Sequence, residues 1–292
     1  MSSLLDFLRD HGTTIRALIA LTLASTVCSV VGCFIILRRM SFLADALAHS
    51  MLAGVVVGYL TMKAIFSVEA SAPGMIVGAL LAGIVTVALI GFVTRVSRIK
   101  QDTAIGIMYT GIFALGGFLA TYKPLASLVH VDLYHFVVGS VLSVTDSDLW
   151  TLTVVVIVVL ACIILFYRHL KLVAFDPVMA AAIGVPVLAV DYLLTGCTSL
   201  VVVWGVGIVG VVLVVALIVT PAATAYLIHD RLDRMLLTAV VVSIVSSWLG
   251  YALATWSEVA PGPAIVLMGT IVFLVVLIAS PKYGVIAARI KR

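Results

Sequence analysis

Asp45 and His49 stand four residues apart in the stretch RRMSFLADALAHSMLAGVVVG, Arg38 to Gly58, which opens on two cations and then runs apolar for a membrane-spanning length. On a helix that spacing stacks both side chains on one face. One carboxylate oxygen and one imidazole nitrogen side by side suit a divalent transition metal such as manganese, zinc or ferrous iron. The same pair suits a proton relay, since histidine titrates near neutrality and Asp–His chains occur in pumps. A third reading is structural: the two groups bond each other or nearby backbone carbonyls.

Burial separates these readings from ordinary surface polarity. If Arg39 marks the headgroup level, a helical rise of ~1.5 Å per residue puts Asp45 ~9 Å and His49 ~15 Å into the hydrocarbon. His49 is then close to the middle of a core ~30 Å thick. Both side chains are too short to reach water from there, so they must face protein or a water-filled path. Two ligands hold a metal weakly, and a two-fold dimer that brings two copies of the helix to its axis would supply four.

Other groups are weaker candidates. His130, Asp132 and His135 lie close together on a loop and could accept a metal at its point of entry, or simply be loop polarity. Cys28, Cys33, Cys162 and Cys197 each stand alone in apolar runs, so neither a zinc knot nor a disulfide framework is expected. There is no H-E-x-x-H for a metalloprotease and no G-x-x-x-x-G-K-[ST] phosphate loop. An enzyme is therefore not expected, and any ATP must be hydrolysed by a partner chain. The alternative energy source is an ion gradient, as in a proton-coupled secondary transporter.

The elements that position these residues are membrane spans. The 292-residue chain is 64% hydrophobic and only 10% charged, which describes one polytopic, all-α membrane domain over residues 1–292. Residues 1–14 read as a short amphipathic segment at the outer interface. Asp6 and Asp10, ahead of the first apolar run, argue against a signal peptide. Spans are predicted at about 15–37, 42–62, 73–93, 103–121, 149–167, 235–255 and 264–280. Residues 123–148 read as a loop carrying a short helix. Residues 192–228 are too long for one span and carry Gly205, Gly207 and Gly210 near the middle, so two shorter spans with a break are expected there. About nine spans result, or eight if the broken pair is counted once. FDPVMAAAIGVP, Phe175 to Pro186, is too short to cross and is framed by prolines, so it reads as a helix outside the bilayer. Gly54 and Gly58 form a G-x-x-x-G that permits close helix packing.

Nine crossings with the N-terminus outside place thirteen of the seventeen Lys and Arg residues on the cytoplasmic side and leave only Arg9, Arg16, Lys63 and Lys123 outside. Fusing the broken pair would move the basic C-terminal tail outside and spoil that bias.

RRMSFLADALAHSMLAGVVVG resembles the second-span signature of the permease subunits of ATP-binding-cassette importers for zinc, manganese and iron. The likeness continues in YHFVVGSVLSV (Tyr134 to Val144), in FDPVMAAAIGVP and in GIVGVVLVVALIVTPAATAYLI (Gly207 to Ile228), in the family's order. The resemblance implies a fold like that of cobalamin and siderophore importer permeases, less one N-terminal span. It implies residence in the bacterial cytoplasmic membrane as a homodimer, with a cytoplasmic ATPase dimer, an extracytoplasmic metal-binding protein and no nucleic-acid partner. The transported metal is the substrate, and no permanent cofactor is implied. The family's metal-ligand positions fall on Asp45 and His49. Its ATPase-coupling segment, within residues 168–191, falls on Asp176 to Val185, including Pro177, Ala180, Ala181 and Gly184. Where the family often has F-G-D, this chain has Val138, Gly139 and Ser140, so no metal role falls on Ser140.

Overall fold

A computed structural model describes residues 2–66, 72–122 and 144–280. Among them every regular element is helical: α1 Ser2–Leu37, α2 Leu43–Phe66, α3 Ala72–Val96, α4 Gln101–Thr121, α5 Asp146–Leu165, α6 Tyr167–Phe175, α7 Pro177–Ala182, α8 Val187–Val209, α9 Val211–Tyr226, α10 Leu232–Ser257 and α11 Pro261–Ala279. Eight of these are long and apolar enough to cross a membrane, and α9 is a ninth apolar helix of 16 residues.

The break between α8 and α9 falls at Gly210, whose φ of 87° and ψ of 159° belong to a region open essentially to glycine. Beyond it the chain folds back: a Cβ on Gly205 would lie 2.8 Å from a methyl of Val214. The expected break is present, at the last of the three glycines. Two other boundaries differ from expectation. Helix α1 runs unbroken from Ser2, so residues 2–14 prolong the first span's helix instead of forming a separate element. Helix α8 starts at Val187 and not at Tyr192, so residues 187–191 of the expected coupling segment belong to a span. Within this first stretch of α8, Asp191 is ion-paired with Arg38.

Helices α2 and α8 and the most apolar part of α1 are mostly buried, while α3, α4, α5, α10 and α11 surround them and turn apolar side chains outward. Such an arrangement suits a lipid solvent, in which every backbone group is satisfied within its own helix. The G-x-x-x-G of α2 is a packing surface. A Cβ on Gly54 would sit 2.3 Å from the carbonyl oxygen of Gly78 in α3, and one on Gly78 would sit 2.8 Å from the Cα of Gly58. Backbone therefore meets backbone, as small residues allow between membrane helices.

The charged side chains sort to two ends. At one end Arg16 of α1 grips Asp146 of α5 through two contacts of 2.8 and 2.9 Å. At the other, Arg38 pairs with Asp191, and Tyr167 and Lys171 of α6 both meet Asp233 of α10. Burial first, and then the bond to Asp233, push the Tyr167 hydroxyl up to about 12.

Candidate metal-binding site

The site is built on the turn that joins α1 to α2. Helix α1 ends in a pair of reverse bonds, Met40 N–H to Ile35 O at 3.0 Å and Arg39 N–H to Ile36 O at 2.9 Å. This is the Schellman arrangement, with Arg39 in the left-handed region at φ 56° where glycine is usual. The turn closes at once into α2 through Leu43 N–H to Met40 O at 2.8 Å. Asp45 consequently lies in the first turn of α2 and His49 in the second. Along the helix axis that puts Asp45 ~3 Å and His49 ~9 Å from the start of α2. Both values are smaller than a helix begun at Arg39 would give, because residues 38–42 form a turn.

The two side chains share a face as their spacing requires. His49 Nε2 lies 3.4 Å from Asp45 Oδ1, too far for a good hydrogen bond. It is close to the ~3.4 Å edge of a tetrahedron whose metal–ligand bonds are ~2.1 Å long. Both side chains are about one-third exposed, at 38% for His49 and 34% for Asp45. They open onto a groove of about 660 Å³ whose other wall is the Val211, Val215, Val219 face of α9. Phe42 and Phe113 complete the apolar lining, and Asp45 and His49 are its ionisable members. Phe42 at 61%, Val212 at 49% and Phe113 at 40% exposure leave the groove open on one side.

Helix α4 orients the imidazole. The ring of Tyr109 stacks on His49 at 6.1 Å between centroids, and Phe113 meets it edge-on at 5.3 Å. Neither residue stands out as a site residue in the sequence. The available signal was their own four-residue spacing, which puts two aromatic rings on one face of a span.

No group of three or more His, Cys, Asp and Glu side chains poised to hold a metal occurs among the described residues. Among the described residues, Asp45 and His49 are the ionisable side chains that line this groove. His130, Asp132 and His135 lie outside the described residues, as do Val138, Gly139 and Ser140.

The proline-framed segment is a short helix, α7, set between α6 and α8. Asp176 caps its start by accepting from the Met179 N–H at 2.8 Å, and Pro177 occupies the first helical position. Its end is a second Schellman turn, Val185 N–H to Ala180 O at 3.0 Å and Gly184 N–H to Ala181 O at 3.1 Å, with Gly184 at φ 86°. Asp176, Pro177, Ala180, Ala181, Gly184 and Val185 are thus the residues that shape this knuckle. Ala180 is buried beneath it, while Val178, Met179 and Ile183 are exposed at 78%, 54% and 60%. An apolar surface is presented at the end of the molecule that carries Arg38 and Asp233.

The chain matches the model of the ABC 3 transport family over residues 10–280. It is 42% identical over 281 residues to the manganese transport system membrane protein MntC of Halalkalibacterium halodurans, covering 96% of this chain and 92% of that one. A probable iron transport system membrane protein of Haemophilus influenzae is 31% identical over 272 residues, covering 93% and 92%. Among solved structures, PsaBC from Streptococcus pneumoniae in complex with Fab superposes with a TM-score of 0.81 at 33% identity, covering 100% of this chain and 99% of that one.

Proposed function

The chain belongs to the ABC 3 transport family, whose members here are membrane permeases and not enzymes, and on that footing we propose that it is the permease subunit of an ATP-driven importer for a divalent transition metal, manganese foremost. The carrying observation is the convergence of Asp45 and His49, 3.4 Å apart, on a groove that is largely apolar and open on one side. Two donors per chain on an open face favour a homodimer in which two such pairs meet around one ion. A site shared across an interface can be opened, and a transported ion must be released. The manganese named for the Halalkalibacterium relative supports that metal, and the iron named for the Haemophilus relative keeps ferrous iron as a competing cargo.

In this reading the N-terminus is outside and the end bearing Arg38, Asp176 and Asp233 is cytoplasmic, as the positive-inside count supports. The knuckle of α7 receives a cytoplasmic ATPase dimer through Val178, Met179 and Ile183. An extracytoplasmic binding protein delivers metal at the other end, where His130, Asp132 and His135 are the proposed point of entry. ATP-driven movement of α7 then opens or closes the two protomers around Asp45 and His49.

Uptake of radioactive manganese by cells carrying Asp45→Asn or His49→Ala tests the proposal. Uptake falls to background in both variants, with assembly on the ATPase retained; full uptake in both would overturn the site.

A further inference from the structure

Pro177 has no N–H, so the carbonyl of Val173, four residues earlier, loses the donor that a continuing helix would give it. Arg38 supplies one from 135 residues away: its Nη1 donates to Val173 O at 2.8 Å. Nη2 of the same guanidinium is ion-paired with Oδ1 of Asp191, near the start of α8. The Arg38 side chain is only 13% exposed, so this fork is largely shielded from water, where such bonds are strongest. Its two arms hold both ends of the α7 knuckle, one at the α6 side and one at the α8 side. The backbone of Arg38 is meanwhile the cap of α1. Two rigidly bonded turns carry it through Arg39 and Met40 into the first turn of α2, where Asp45 stands.

We propose that Arg38 is a positioning residue that ties the α7 knuckle to the metal-bearing helix, so that displacement of the knuckle is delivered to Asp45 and His49 through the 38–42 turn. A lysine replaces it only in part, because a flexible ammonium lacks the planar fork that meets a carbonyl and a carboxylate at once. The inference rests on the reading of α7 as the ATPase-docking element, and the test separates the two.

Amide hydrogen exchange is followed on the full-length permease in lipid nanodiscs, alone and with its ATP-binding-cassette ATPase and ATP. In the permease alone, Arg38→Ala speeds exchange about tenfold at residues 43–46 and at 174–176 together, since both ends of the link lose their anchor. Arg38→Lys gives a smaller effect at both places. Unchanged exchange at either place in Arg38→Ala overturns the link. With the ATPase and ATP, exchange changes in the wild type at 177–185 and at 43–46, and Arg38→Ala keeps the first change and loses the second. A wild type that responds at 177–185 but not at 43–46 refutes the link and leaves docking intact. No response at 177–185 refutes docking, while the arm without ATPase still decides the link. If Arg38→Ala does not assemble, Asp191→Ala releases one arm only and should speed exchange at 43–46 by about threefold; no change there would refute the proposal.

Discussion

His49 Nε2 and Asp45 Oδ1 stand 3.4 Å apart on one face of α2 and line one largely apolar groove, with Tyr109 and Phe113 of α4 against the imidazole. The separation suits neither a short hydrogen bond nor independent solvation. It suits two donors waiting for a shared ion. The alternatives of a proton relay and a purely structural pair use the same atoms but differ in what happens when the surroundings are changed.

The aromatic cage around His49 is the first point of leverage. Tyr109→Ala and Phe113→Ala remove the rings that fix the imidazole plane. Each should raise the metal concentration for half-maximal uptake by about 10-fold, the low end of what groups that orient a metal ligand command. Tyr109→Phe keeps the stack and should transport like the wild type. Uptake titrations on the three variants check this, and loss of transport in Tyr109→Phe would point instead to a role for the hydroxyl.

Close backbone packing between α2 and α3 gives a stability prediction. Gly54→Leu forces a Cβ to a point 2.3 Å from the Gly78 carbonyl oxygen, with no flexible side chain available to yield. The two helices must separate, at a cost of about 1–3 kcal/mol typical of overpacking. Gly106→Leu, where a Cβ would meet nothing within 4 Å, serves as the control. Thermal unfolding in detergent should show a lowered midpoint for the first variant and little change for the second.

The α7 knuckle depends on its cap and on its left-handed glycine. Asp176→Ala leaves the Met179 N–H without its side-chain acceptor and should cost about 1 kcal/mol locally, whereas Asp176→Ser restores an acceptor. Gly184→Ala places a Cβ at φ 86° and adds a penalty of about 1–2 kcal/mol. If α7 docks the ATPase, metal-coupled ATP hydrolysis should fall in Asp176→Ala and Gly184→Ala and recover in Asp176→Ser. Equal hydrolysis in all three would remove α7 from the coupling route.

At high pH the α6–α10 contact should loosen. Tyr167 is held protonated to about 12 by burial and by its bond to Asp233, against a usual value near 10. A folded state that raises the pKa of an acid is favoured while that acid is protonated. Its contribution is therefore complete below about pH 10 and is lost as pH climbs through 12. Ultraviolet titration of the tyrosines should show a late-ionising phenol that disappears in Tyr167→Phe and moves down in Asp233→Asn.

Much of this arrangement was legible in the residues themselves. The Asp45–His49 pairing follows from helical spacing. A break near the middle of residues 192–228 follows from their length and three glycines, and a closely packed face of α2 from Gly54 and Gly58; that the break is at Gly210 and the packing partner is α3 does not. What escaped was set by distant partners. The start of α8 was placed too late, at Tyr192, because the cation that meets Asp191 in its first turns, Arg38, lies 153 residues away. The shallower position of His49 along α2 follows from the Arg39 turn, whose left-handed conformation a non-glycine residue gives no hint of. Tyr109 and Phe113 gain their significance only once α4 is packed on α2.

The central claim is that two chains share one transported ion between paired Asp45 and His49 residues. Metal content of the purified permease in nanodiscs, equilibrated with manganese and counted per chain, tests it most directly. One manganese ion per two chains is expected, lost in both Asp45→Asn and His49→Ala. One ion per chain, or occupancy unchanged in Asp45→Asn, would contradict it.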